Sequence, residues 1–335
     1  MNNSHVSRIG RAQHLLSALG LVAVLLSPAA HATTYSYTSF NMPGAYNTLG
    51  YGINNSGVIV GTYYDSSGNT HGFVDNGGAY TALNVPFTGA FDTVATGING
   101  NGAIVGMYTD SSNQAHGFVD NGGIYTSVNV PFAGASDTTA WGINGNGAIV
   151  GRYYDSSGHA YGFVDNGGTL TTLDMPVAGG TLEMLAAGIN NNGAIVGQYE
   201  DSAYGTHGFL DNGGTYTALD VPFTGAYSTT AHGINGNGAI VGSYNDNLGQ
   251  FHGFLDNGGT YSSLDVPFTG ASNTVTFGIN RNGDVVGWYV DGSGHTQGFL
   301  ATPVPESSML LQMGAGLALL GLVRRRSLRV MARVV

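Results

Sequence analysis

Apolar positions fall in runs of about four to seven residues, each closed by glycine, asparagine or aspartate, a pattern of short strands and tight turns. In residues 93–131 the runs are "TVATGIN", "AIVGMYT", "AHGFVD" and "YTSVNVP", parted by "GNG", "DSSNQ" and "NGG". Asn-Gly and Gly-Gly supply the positive φ angles that hairpins need, so the breaks read as turns. The second run is apolar on consecutive residues rather than alternate ones, which predicts a strand buried on both faces. A sheet sandwiched between two other sheets provides that environment.

The same four runs return along the chain. "GIN" stands at Gly52, Gly97, Gly142, Gly188, Gly233 and Gly278, at spacings of 45, 45, 46, 45 and 45 residues. A period of this length signals a solenoid, a propeller or an array. The two ends choose between an open stack and a ring. The last copy stops after its third run, "TQGFLATP", and the missing fourth run lies at the other end, where "TYSYTSFNMPGAYN" (34–47) lines up with "TYTALDVPFTGAYS" (215–228). A strand from the N-terminal end that completes the last unit closes a ring, whereas a solenoid wants separate polar caps. The expectation is an all-β, six-bladed β-propeller of four-stranded blades over residues 33–302, with residues 35–42 as the outer strand of the sixth blade.

The unit, a Gly-Ile-Asn hairpin followed by "HGF" at His71, His116, His207 and His252, with "YGF" at Tyr161 and "QGF" at Gln297, resembles the HAF-type extracellular repeat family. That family carries no settled activity, so the resemblance implies an extracellular setting rather than a reaction.

Composition narrows the chemistry. The chain has 335 residues, 56 glycines, 19 tyrosines and no cysteine, which excludes redox pairs, thiolate metal sites and a cysteine nucleophile. Between residues 33 and 304 there are 19 acidic residues against two arginines, Arg152 and Arg281, a formal charge of −17. Phosphate recognition relies on Lys and Arg, so nucleic acid and anionic lipid are disfavoured as partners, while cations and neutral glycans remain open. "GINGNG" is no nucleotide loop, because a β-branched run ended by glycine follows it and no helix begins. Copies of the "HGF" histidine sit on different blades, more than about 10 Å apart, so one metal with bonds of about 2 Å cannot join them. They are expected to pack or hydrogen-bond.

One acidic set falls in register after the second run: Asp65, Asp110, Asp155, Asp201, Asp246 and Asp291. Two readings stand. Either these aspartates start tight turns by bonding their own backbone, or their clustered oxygens hold Ca²⁺, the one cofactor considered. In a propeller their loops share a face with the long connections between blades. Glu183 and Glu200 are the only glutamates of the repeat region, both in or beside the irregular fourth copy. They mark either drift or a function grafted onto one blade.

The two ends give an address. Residues 1–32 have the parts of a secretory signal peptide: Arg8 and Arg11, the apolar stretch 15–26, then "AHA" with Ala30 and Ala32 suiting signal peptidase. Residues 303–335 carry Val304, Pro305, Glu306 and Ser307, an apolar run and Arg324, Arg325 and Arg326, an order that places the preceding domain outside the cytoplasm. The arrangement resembles the PEP-CTERM sorting signal of Gram-negative bacteria. The resemblance implies transient residence in the inner membrane through the C-terminal helix, cutting near the motif by an exosortase-like protease, and delivery to the envelope, cell surface or exopolysaccharide matrix. A retained membrane anchor is the alternative.

Together these features predict an exported, noncatalytic propeller that acts as a binding or structural module, with exopolysaccharide as a partner. A propeller-type polysaccharide lyase or glycosidase, and a cation-binding matrix protein, are the alternatives. A cleft with paired carboxylates would separate the first two.

Overall fold

The computed structural model describes residues 34–173, 175–176 and 181–304. Ala30 and Ala32 of the signal peptide, and Pro305, Glu306 and Ser307 of the sorting motif, lie outside the described residues. Among the described residues, twenty-four strands form six antiparallel four-stranded sheets. Five sheets are built from consecutive strands within 47–83, 91–128, 136–173, 183–219 and 228–263. The sixth takes Ser272–Ile279, Val285–Val290 and Thr296–Pro303 and is completed by Tyr35–Phe40. That pairing runs from Tyr35 opposite Pro303 to Phe40 opposite Gly298, so the added strand stops at Phe40 rather than at residue 42.

The sheets close into a ring. Asn280 Nδ2 of the sixth blade donates to the Asn54 carbonyl of the first at 3.2 Å, and Arg281 N donates to Asn55 Oδ1 at 2.9 Å. The architecture is the six-bladed β-propeller the repeat predicts.

Burial follows the run-by-run pattern. In the second strand of each blade Val60, Val105, Val150, Val196, Val241 and Val286 have no exposed surface, because neighbouring blades cover both faces. In the third strand the "HGF" phenylalanines, from Phe73 to Phe299, are equally buried. Each lies opposite the glycine that ends "IVG", as Phe73 does with Gly61 and Phe118 with Gly106. A Cβ on Gly106 would collide with the Val94 carbonyl oxygen and come within 2.7 Å of the Phe118 ring. The bare glycine is therefore the seat for the ring.

The inner strands approach each other closely. Each has one extra residue, with register breaks such as Gly50/Gly52 and Ala140/Gly142. This repeated bulge turns Tyr51, Thr96, Trp141, Ala187, His232 and Phe277 out of the ladder, as bulges re-aim side chains. Beside them a Cβ on Gly142 would fall 2.8 Å from the Ala187 carbonyl oxygen and 3.1 Å from the Gly188 Cα of the next blade.

One substitution and one deletion test this packing. Gly106→Ala is expected to cost about 3 kcal/mol or more, since backbone rather than a yielding side chain occupies the space; chemical denaturation reads the loss. Removing residues 34–43 uncovers the edge of Thr296–Pro303, and exposed edges promote association. The shortened chain should melt lower and self-associate in sedimentation; a stable monomer would contradict closure by this strand.

Candidate functional site

Three places around the ring gather polar or exposed groups: the axial mouth, the axial chamber and the loop face. The mouth is made by the hairpins after "GIN". Asn54, Asn99, Asn144, Asn190, Asn235 and Asn280 are all buried there. Asn144 Oδ1 accepts from the backbone N–H groups of Asn146 and Ala148, both at 3.0 Å, which holds its own turn. Its Nδ2 donates to the Asn190 carbonyl of the next blade at 3.1 Å. The same link joins Asn99 to Asn144, Asn190 to Asn235, Asn235 to Asn280 and Asn280 to Asn54. One residue type thus fixes a hairpin and fastens it to its neighbour. The belt surrounds a cavity of about 370 Å³ floored by six isoleucines, and Arg281 is the charged residue among its described lining.

Beneath the isoleucines lies a chamber of about 80 Å³ lined in part by Tyr51, Thr96, Trp141, Ala187 and His232. Here the blades differ. The Tyr51 ring meets Phe277 edge-on at 4.8 Å and Trp141 at 6.4 Å, and His232 lies 4.2 Å from Phe277. These rings pack against one another beside the axis. His232 Nε2 is 3.1 Å from Ser243 Oγ, while its Nδ1 is buried without a partner. Burial pushes its pKa down to about 3, so the ring is neutral near pH 7.

The loop face is where the second-to-third strand turns and the blade connections emerge together. Gly89 of one connection lies beside Ser111 of such a turn, and Gly134 beside Ser156. The register aspartates stand here, one in each blade, as turn formers. Asp65 Oδ1 accepts from Ser67 N and Asn69 N at 2.8 and 2.9 Å, and Asp110, Asp155, Asp201, Asp246 and Asp291 repeat the pattern. The second oxygen reaches the "HGF" histidine: His116 Nε2 is 3.1 Å from Asp110 Oδ2. Gln297 makes the corresponding bond to Asp291. The other histidine nitrogen meets Asn84, Asn129, Asp220 or Asp265 at 2.9 Å. Each ring also lies against a tyrosine, as His116 does on Tyr108 at 5.2 Å. Among the described residues no three His, Asp or Glu side chains are placed to hold a metal ion. The six aspartates form turns as one of the two sequence readings expects, each with one oxygen bonded to the backbone of its own turn.

No family model matches the chain, and no curated protein matches it. Among solved structures it is similar to AofleA from Arthrobotrys oligospora, 10% identical, with a TM-score of 0.49 over 81% of this chain and 88% of that one. A fungal lectin from Aleuria aurantia, described with a six-bladed β-propeller fold and a fucose recognition mode, is 11% identical with a TM-score of 0.43, covering 82% and 97%. YCF48 bound to D1 peptide is 13% identical with a TM-score of 0.38, covering 82% and 99%. At such identity the likeness concerns architecture and says nothing of a ligand.

Two features escaped the reading of the sequence. Glu183 and Glu200 stand directly opposite one another on neighbouring strands of the fourth blade; sequence alone did not place them together, because strand register decides it. The axial set was also missed, although its signal was present: the residue before "GIN" differs in every copy while those after it recur.

Electrostatics give a testable pH profile. Hydrogen bonds within the turns hold the aspartates below their ordinary range, with Asn69 first and then Ser67 and His71 taking Asp65 down to about 2. Partial burial opposes protonation of His116, His207 and His252, but their bonds to Asn129 and Asp110, Asp220 and Asp201, and Asp265 and Asp246 outweigh it and raise all three. Raised histidines stabilise the fold fully below 6.5 and lose that contribution as pH rises through their folded values. His232, lowered instead, binds a proton more readily when unfolded, so stability falls as pH drops from 6.5 toward 3. The lowered aspartates add to the acid side: their contribution is present above 3.8 and lost as pH falls through their folded values. The melting temperature should therefore peak near pH 6.5. Replacing His116, His207 and His252 by Gln should flatten the alkaline limb, and His232→Phe the upper part of the acid limb.

The belt has its own test. Asn144→Asp keeps the acceptor for its turn but sets a buried carboxylate oxygen against the Asn190 carbonyl, whereas Asn144→Ala removes donor and acceptor together and orphans the buried Ala148 N–H. Both should destabilise in urea titration, Ala by about 1–3 kcal/mol for the orphaned buried group, and only Asp should recover part of its loss at acid pH, where a protonated carboxyl donates to the Asn190 carbonyl again.

Proposed function

We propose that the chain is an exported cell-surface or exopolysaccharide-matrix protein whose propeller is a noncatalytic binding module for neutral polysaccharide. The observation that carries this reading is the composition of the loop face. Tyr46, Phe91, Phe132, Tyr204, Tyr227, Leu248 and Phe251 are exposed there, from 38% for Phe132 to 80% for Leu248, in turns and connections that also carry aspartates. Exposed apolar side chains gathered on one face mark interaction sites. Sugars suit such a surface, since they offer C–H faces to rings and hydroxyls to carboxylates. Signal peptidase acting after Ala30 and Ala32, and an exosortase-like protease acting at Val304, Pro305, Glu306 and Ser307, supply the address in this reading.

A glycosidase is the second reading, and the facing pair Glu183 and Glu200 favours it. Two carboxylates at a suitable separation would serve as acid and as base or nucleophile. Co-sedimentation of the mature chain with the native exopolysaccharide, together with release of reducing ends, separates the two. Binding without reducing ends is expected. Reducing ends that disappear in Glu183→Gln and Glu200→Gln would establish the enzyme instead. Mass spectrometry of envelope and medium fractions should find chains ending near residue 305; only intact chain through Val335 in membranes would favour a retained anchor.

A further inference from the structure

We infer that Tyr204 and Tyr227, at the junction of the fourth and fifth blades, form the principal stacking site for a pyranose ring of a neutral polysaccharide. The inference rests on the proposed binding function and gives it a place.

Tyr204 occupies a position that backbone geometry reserves for other residues. The equivalent turn positions are Gly68, Asn113, Gly158, Gly249 and Gly294, and all six have positive φ between 65° and 85°. Only residues without a bulky Cβ substituent enter this region cheaply, and glycine does so freely. Tyr204 adopts φ 65° and leaves its side chain 78% exposed. The residue therefore bears backbone strain and gains almost no burial in return. Strain retained without compensation points to a use outside the fold.

The neighbouring blade supplies the second ring. Tyr227 is 63% exposed, and Tyr227 N is bonded to the Asn245 carbonyl of its own blade at 3.1 Å. It holds the place in its repeat that Tyr46 holds in the first, where the ring lies edge-on over His295 of the preceding blade at 4.7 Å. The residue equivalent to His295 in the fourth blade is Gly205, the successor of Tyr204. By that equivalence Tyr227 faces a turn whose residue at this place is a glycine. A Cβ on Gly205 would meet His207 Nε2 at 2.9 Å and Asp201 Oδ1 at 3.3 Å, so this place is bare backbone edged by polar groups. The turn between these two positions carries Asp201, His207 and, on the far nitrogen of that histidine, Asp220.

Charge selects the occupant. With 19 acidic residues against two arginines over residues 33–304, a polyanion is repelled, and so is a second copy of the same face. A neutral pyranose presents an apolar face to tyrosine and donates its hydroxyls to these carboxylates.

The test uses the mature full chain in affinity electrophoresis through gels containing a neutral β-glucan, a galactomannan or alginate. Retardation by at least one neutral gel and not by alginate is expected. Tyr204→Gly should weaken that binding at least tenfold while raising the melting temperature, because it relieves the turn; Tyr227→Ala should weaken it similarly, and Tyr204→Phe should retain it. If neutral gels retard Tyr204→Gly and Tyr227→Ala as strongly as the parent, the site assignment is overturned and the binding function stands. If neither neutral gel retards the parent, the function and the site fall together. Preference for alginate, or concentration-dependent self-association that Tyr204→Gly abolishes, would overturn the occupant.

Discussion

Six strands can meet around one axis only if their backbones come almost into contact, and the glycine of "GIN" is what permits it. At Gly142 and Gly188 the next blade stands where a side chain would begin. That proximity brings the hairpin of one blade within reach of the next, which lets each buried asparagine span the gap with a single amide. Remove the close approach and the belt has nothing to bind. The bulge beside each glycine follows from the same crowding, since the extra residue has only the axis to turn into.

The copies divide into positions that build the ring and positions that distinguish one blade from another. Gly, Asn, the buried valines and the "HGF" phenylalanines recur because every blade meets the same neighbour. Freedom is left at the bulge, where rings of different sizes pack against one another along the axis, and on the loop face, where side chains meet solvent. The second group alone distinguishes one blade from the next, and the fourth blade departs furthest from the others.

The legible part of this molecule was the part that repeats. Spacing, turn dipeptides and the split last unit were enough for blade number, strand order and the closing strand, because each reflects local chain geometry. Register was not legible: whether Glu183 faces Glu200, or Asp110 reaches His116, depends on which residues stand opposite across a ladder. Asn144 was read as a turn former and is one, but its link to Asn190 is a contact between units 46 residues apart. The aspartates could be placed in register from sequence, but not their second partner: Asp110 Oδ2 meets His116 across the ladder, which spacing along the chain does not show.

The closing strand also brings the two limits of the ring together. Thr34 and Val304 are joined by a 2.8 Å hydrogen bond, and Pro303 packs near Gly283 in a hairpin of the asparagine mouth. Thr34 and Val304 therefore lie side by side at the hairpin end of the sixth blade. The seam of the ring thus stands on the asparagine side, and the tyrosine-bearing loops stand on the opposite one.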